Sequence, residues 1–231
     1  ILACEKCGIK IQSIFKKIHK IKSVNGRLEE IKELPNRSKI FLDYAHTPEA
    51  LKTAINALKE HYKKKITVVF GCGGERDKSK RKLMGKIANQ LCNKVIITDD
   101  NPRNEKPKII REQILSVIKK NKFKEIPGRK KAIIYALKNS DPFEIILVAG
   151  RGHETYQDFG KRKVSLSDKK IIQNYNSKKI NTKINYFKNN STLIKKILKN
   201  KKNIYFEGVS INSKSIKTVS YTHLRAHETT V

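Results

Sequence analysis

Short apolar runs alternate with longer amphipathic ones through the middle of this chain. Residues 39–42, 66–70, 95–98 and 145–149 are largely β-branched and apolar at consecutive positions, the pattern of strands covered on both faces. Between them, residues 48–62, 80–91, 107–119 and 129–138 carry apolar side chains at helical spacing. Two of these segments have Pro in the first turn, where its missing N–H leaves no intrahelical bond unmade. The alternation predicts an α/β fold with a doubly wound, mostly parallel sheet. Upstream, Ile9, Ile11, Ile14, Phe15, Ile18 and Ile21 predict one amphipathic helix over residues 1–21. Residues 24–30 break that pattern with an Asn-Gly turn and residues 34–38 are polar, so a domain boundary is expected between 36 and 37.

Open sheets of this kind bind ligands beyond the carboxyl ends of their strands, so the residues that follow each strand decide the chemistry. Four strand ends are polar or glycine-rich: Asp43-Tyr-Ala-His-Thr-Pro48, Gly71-Cys-Gly-Gly-Glu-Arg-Asp-Lys78, Asp99-Asp-Asn-Pro-Arg103 and Gly150-Arg-Gly-His-Glu154. Any one of them is compatible with ordinary turn chemistry; four on one edge of one sheet would build a single polar crevice.

The loop from Gly71 is not a Walker A loop, because Asp77 stands where Gly must precede Lys78-Ser79. It is not a dinucleotide fingerprint either, because Arg76 occupies the place of the third Gly. It offers backbone that a ligand can approach closely, with Arg76 able to grip a carboxylate through two parallel hydrogen bonds. Paired with Glu75 or Asp77 it would be a plain surface arginine. Asp100, Asn101 and Arg103 set an acceptor, an amide and a guanidinium within four residues. The set suits a zwitterion, with Asp100 taking an ammonium and Arg103 a carboxylate. An Asx-type turn beside a surface arginine is the plain alternative. Gly150 and Glu154 add a close-approach backbone and a second ammonium acceptor, and His153 reads as structural or capping rather than catalytic.

Composition changes this picture little. Lys and Arg outnumber Asp and Glu 52 to 21, a net charge of +31 that by itself suggests a nucleic-acid or anionic-membrane partner. The excess is scattered Lys accompanied by Asn and Ile, so a solvated basic surface is the preferred reading and a basic nucleic-acid-binding module the alternative. No run approaches the ~20 apolar residues of a membrane span and no signal peptide is visible, so a cytoplasmic protein without a membrane partner is expected. The 4 cysteines are too few for a disulfide framework, and Cys4-Glu-Lys-Cys7 lacks a second ligand pair, so no metal site is expected. The chain opens without Met inside a helical pattern, and its true beginning is expected upstream.

Taken in order, the four motifs closely resemble the C-terminal domain of the Mur ligases, a Rossmann-like domain, and the resemblance runs over about residues 1–175. Within that family Asp-Asn-Pro-Arg marks enzymes that take meso-diaminopimelate rather than lysine. The resemblance implies an ATP-dependent, amide-bond-forming ligase of peptidoglycan synthesis. Its partners would be ATP, UDP-N-acetylmuramoyl-L-alanyl-D-glutamate and meso-diaminopimelate, with Mg2+ as cofactor. It implies that Arg76, Asp100, Asn101, Arg103, Gly150 and Glu154 form the diaminopimelate pocket, and that Arg27, Asp43 and His46 contact ATP. The family's ATP loop and metal ligands lie in a central domain, of which residues 1–36 would be the tail and linker. Residues 37–178 would be the amino-acid-binding domain, so no catalytic residue and no ligase turnover are expected from this chain alone. Lysine-adding and folylpolyglutamate-type ligases are rivals that Asp-Asn-Pro-Arg argues against. Residues 179–218 are a Lys- and Asn-rich linker followed by a weak resemblance to the start of a MurF-type ligase; covalent fusion to MurF and a disordered basic tail both stay open. Residues 219–231, with His223 and His227, look like a translated sequencing adapter and are set aside.

Overall fold

The structure, a computed structural model, describes residues 2–18, 20 and 23–176; the readings made for residues 179–231 lie outside the described residues. In chain order the elements are α1 (Leu2–Lys6), α2 (Ile11–Ile18), β1 (Glu29–Glu33), β2 (Lys39–Asp43), α3 (Pro48–Tyr62), β3 (Ile66–Phe70), α4 (Ser79–Leu91) and β4 (Lys94–Ile97). They continue with α5 (Pro107–Leu115), β5 (Phe123–Glu125), α6 (Arg129–Lys138), β6 (Ile145–Ala149), β7 (Tyr156–Asp158), β8 (Lys163–Ser165) and α7 (Asp168–Gln173).

A six-stranded sheet has the order β1-β2-β6-β3-β4-β5, and only β1 runs antiparallel to its neighbour. The doubly wound, mostly parallel sheet expected from the pattern is the one found. β3 and β6 are buried at every position, as consecutive apolar residues require. Alternate residues divide between two cores. Val68 and Phe70 pack with Leu51 and Ile55 of α3, Met84 of α4 and Ile114 of α5, while Val69 packs with Ile133 of α6 and Ile172 of α7. α3 starts where Thr47 accepts the Ala50 N–H and Pro48 supplies the first turn, and it stops at Lys63 in the left-handed region.

The differences from the sequence pattern have local causes. The helix expected over residues 1–21 is two pieces separated at Gly8, whose φ is +79°. α5 ends four residues early: Ser116 folds its hydroxyl back to the Gln113 carbonyl. β1 has no counterpart in the sequence pattern, which gives a turn over residues 24–30 and no strand over 31–33, so the sheet begins N-terminal to the expected boundary at 37. Its five residues, Glu-Glu-Ile-Lys-Glu, carry a single apolar side chain, which suffices at an edge closed by ion pairs such as Lys39–Glu30 at 2.9 Å. Among the described residues no helix is long and apolar enough to cross a membrane.

Candidate functional site

β2, β6, β3 and β4 are adjacent and parallel, so the four polar motifs leave the sheet side by side along one edge. The four motifs therefore share one rim of the sheet.

The loops after β3 and β4 are interlocked. The Gly74 N–H donates to the Asn101 carbonyl at 2.8 Å, and Arg103 Nη1 donates to the Gly74 carbonyl at 2.7 Å. Only glycine permits this approach, since a Cβ on residue 74 would lie 1.9 Å from the Pro102 carbonyl oxygen. A Cβ built on Gly73 would sit 3.1 Å from Arg103 Nη1 and 3.8 Å from Arg76 Cγ, which puts both guanidinium-bearing chains around one point. Arg76 is exposed and has no ion-pair partner among the described residues. The carboxylates that could have neutralised it are engaged elsewhere: Glu75 accepts from Asn104 Nδ2 at 2.8 Å, and Asp77 accepts from the Ser79 amide at 2.8 Å and hydroxyl at 2.6 Å.

Asn101 ties this side to the loop after β6. Its Nδ2 donates to Glu154 Oε2 at 2.9 Å, and its Oδ1 accepts the Asp158 N–H at 2.9 Å. Glu154 Oε2 also receives Arg151 Nε at 3.3 Å, and its Oε1 has no partner among the described residues. Arg103 lies near Asp158 at 3.6 Å, with Nη2 likewise unpartnered among the described residues. Its backbone sits at φ +50°, a conformation uncommon outside glycine that turns the side chain back over the loop. Arg76, Asn101, Arg103 and Glu154 are thus brought together at one mouth of the sheet.

Asp100 stands apart from them. It is 8% exposed, its Oδ1 accepts the Asn101 amide at 2.7 Å, and its Oδ2 faces Gly150 and, at 3.7 Å, Arg129. Burial pushes its carboxyl above the ordinary range, against the pull of Arg129, the Asn101 N–H and Arg151. It forms the floor of the mouth, where sequence suggested an ammonium acceptor at the rim. A Cβ on Gly150 would come within 2.8 Å of Asp100 Oδ2, so that glycine keeps the floor open. Neighbouring Asp99 is wholly structural, receiving Arg111 and the Gly128 N–H. Cys72 is buried beside Met84, and its thiol is pushed up to about 12, so it is no nucleophile.

Arg27, Asp43 and His46 gather at the end of β2. Asp43 Oδ2 accepts the Leu28 N–H and its Oδ1 the Ala45 N–H, each at 2.7 Å. Tyr44 is the centre of this group: the Arg27 guanidinium lies 4.7 Å from its ring centroid, His46 meets it edge-on at 4.8 Å and His153 stacks on it at 5.7 Å. Gly26 and Gly152 let the two loops touch, since a Cβ on Gly26 would lie 2.5 Å from the His153 amide nitrogen. His153 is therefore held by stacking, as a structural histidine would be.

Several residues that hold the site had no signal in the sequence. Arg81, Arg129 and Arg151 are not singled out by the sequence reading, yet all three are fully buried and paired with Glu105, Asp168 and Glu154. Gln157, on the unpredicted strand β7, donates to the Asp100 carbonyl.

Comparison with known proteins agrees with this arrangement. The profile of the Mur ligase, glutamate ligase domain matches residues 26–152, which takes in the loops after β2, β3 and β4 and the start of the loop after β6. A UDP-N-acetylmuramoyl-L-alanyl-D-glutamate--2,6-diaminopimelate ligase of Rickettsia bellii (strain RML369-C) is 49% identical over 154 residues, 66% of this chain and 32% of that protein. The protein of the same name from Rickettsia montanensis is 43% identical over 175 residues, 75% of this chain and 36% of that protein. That from Buchnera aphidicola subsp. Acyrthosiphon pisum (strain APS) is 46% identical over 181 residues, 78% and 36% of the two chains. A solved structure with the same ligase name superposes with a TM-score of 0.61 at 33% identity, covering 74% of this chain and 35% of that one. The chain spans about a third of the length of these relatives. With the fold, the ordered motifs and the matched residues in agreement, this chain belongs to the Mur ligase family.

Proposed function

We propose that the chain is the amino-acid-binding portion of a MurE-type ligase, a cytoplasmic ATP-dependent enzyme of peptidoglycan synthesis that joins meso-diaminopimelate to UDP-N-acetylmuramoyl-L-alanyl-D-glutamate. The observation that carries this reading is the convergence of Arg76, Asn101, Arg103 and Glu154 on one mouth. Diaminopimelate ends in an ammonium and a carboxylate, whereas lysine ends in an ammonium alone. Arg76 and Nη2 of Arg103 suit the far carboxylate, Oε1 of Glu154 suits the ammonium, and Asp100 with Gly150 shapes the floor. Arg27, Asp43 and His46 around Tyr44 take ATP on the adjoining stretch of the rim. The basic composition is then a property of the surface, and the nucleic-acid reading has no support beyond charge.

In this reading ATP converts the D-glutamate carboxylate to an acyl phosphate, and the diaminopimelate amine attacks it. The part played by these residues is to bind the amine donor and hold it in one orientation, which replaces a bimolecular encounter by a positioned one. When bound, magnesium would neutralise phosphate charge. Among the described residues there is no group of three or more His, Cys, Asp or Glu side chains able to hold a metal ion.

Titration calorimetry of the 231-residue chain with meso-diaminopimelate and with L-lysine tests the proposal. Saturable binding of diaminopimelate, with lysine at least about tenfold weaker, is expected from the loss of one charge-assisted interaction. Salt-sensitive binding to DNA with no diaminopimelate heat would overturn it.

A further inference from the structure

Arg81, in the first turn of α4, is 0% exposed. Its guanidinium meets both oxygens of Glu105 at 2.9 Å, and its remaining bonds go to Gln113 Oε1 at 2.8 Å and the Gly73 carbonyl at 3.1 Å. Glu105 in turn accepts the Glu75 N–H at 2.6 Å. The Arg81 hydrogen bond holds the Glu105 carboxyl down at about 2, so the pair is fully ionised at neutral pH. Burying a guanidinium is unfavourable unless its partners are well placed, and here those partners are the two site loops together with Gln113 of α5. One loop carries Arg76 and the other carries Arg103.

We infer that Arg81 and Glu105 are positioning residues that set the spacing between Arg76 and Arg103, and with it the recognition of the far carboxylate of the amino-acid guest. The inference rests on the diaminopimelate reading above. Arg76 has no ion-pair partner of its own among the described residues, so its place follows from the backbone of its loop. That backbone is fixed at Gly73 by Arg81, at Gly74 by Asn101 and at Glu75 by Glu105. A displacement of even a fraction of an ångström between two gripping groups is enough to forfeit a bidentate contact.

The test is Glu105→Gln in the 231-residue chain, titrated with meso-diaminopimelate and with L-lysine. The amide turns a donor toward Arg81 or toward the Glu75 N–H while keeping the shape of the side chain. The expected result is a loss of about tenfold in diaminopimelate affinity with lysine affinity unchanged, because lysine has no far carboxylate to misplace. Equal losses for both ligands would mark the pair as merely structural and overturn the inference, as would no change for either. Hydrogen exchange on the unsubstituted chain serves if the variant fails to fold. The Gly74 and Glu75 amides should be protected from exchange, and free exchange there would overturn the inference. A chain that binds no diaminopimelate before substitution would instead sink the reading of the pocket, a result separable from a chain that binds and a variant that binds equally well.

Discussion

Arg103 does two things with one guanidinium. Nη1 secures the Gly74 carbonyl at 2.7 Å, so the side chain helps build the loop and, in the proposed reading, also grips the guest. Replacing it by Ala removes one charge-assisted contact to the far carboxylate, worth about 1.5–3 kcal/mol, or roughly 10- to 100-fold in affinity. Arg103→Ala should bring diaminopimelate down to the affinity of lysine in paired calorimetric titrations; a variant that kept its preference would show that Arg103 does not read the carboxylate. Arg103 and Arg76 stand out as candidates in the sequence because a guanidinium beside Gly and Pro in a strand-end loop has a recognisable chemistry. Arg81 does not. It sits in the run Lys78-Ser-Lys-Arg-Lys82, where nothing distinguishes it from its solvated neighbours until a carboxylate 24 residues away folds against it. Asp100 illustrates the opposite failure: its polarity was visible, but its burial depends on Arg129, Gly150 and Gln157, which approach from other elements.

Among elements, those with consecutive apolar residues were recovered and those that depend on a neighbour were missed. β3 and β6 announce themselves because both faces are covered. β5, β7 and β8 are three residues each and carry too little pattern to read; they exist because a partner strand is already in place. Helix packing hides a similar dependence in α4. Gly85 is unfavourable inside a helix by about 1 kcal/mol relative to Ala, so propensity alone argues for Gly85→Ala as a stabilising change. Packing reverses that sign. A Cβ there would stand 2.5 Å from the Ile114 carbonyl oxygen of α5 and 2.8 Å from Val117, and a carbonyl fixed in a helix end cannot step aside. Gly85→Ala should therefore lower the melting temperature, whereas a rise would mean that α4 and α5 can separate without loss.

At the scale of the whole molecule, the segment after β6 is fastened to the sheet by buried charge as well as by the apolar packing of Ile172. Asp168 opens α7 and is 1% exposed; both its oxygens take Arg129 Nε, at 3.0 and 2.9 Å, and Arg151 Nη1 lies 3.7 Å away. Arg129 also reaches the Ala149 carbonyl at 2.8 Å, and Arg151 the carbonyls of Tyr156 and Leu166. One carboxylate thus joins α6, α7, the end of β6 and the β7–β8 hairpin, although residue 168 falls beyond the 26–152 span of the family match. Burying such a group gives little net stability over an apolar core, but removing one partner strands the others without water. Asp168→Ala leaves two guanidiniums inside the protein and should cost about 3–5 kcal/mol. For a domain of this size that is a fall of roughly 10 °C or more in melting temperature. Lys108→Ala, which removes an exposed pair of 3.7 Å with Glu112, provides the comparison and should cost under about 0.5 kcal/mol. If thermal denaturation finds the two variants equally mild, the buried arginines have another route to solvent or to a partner. Asp168 would then not be what holds the segment after β6 against the sheet.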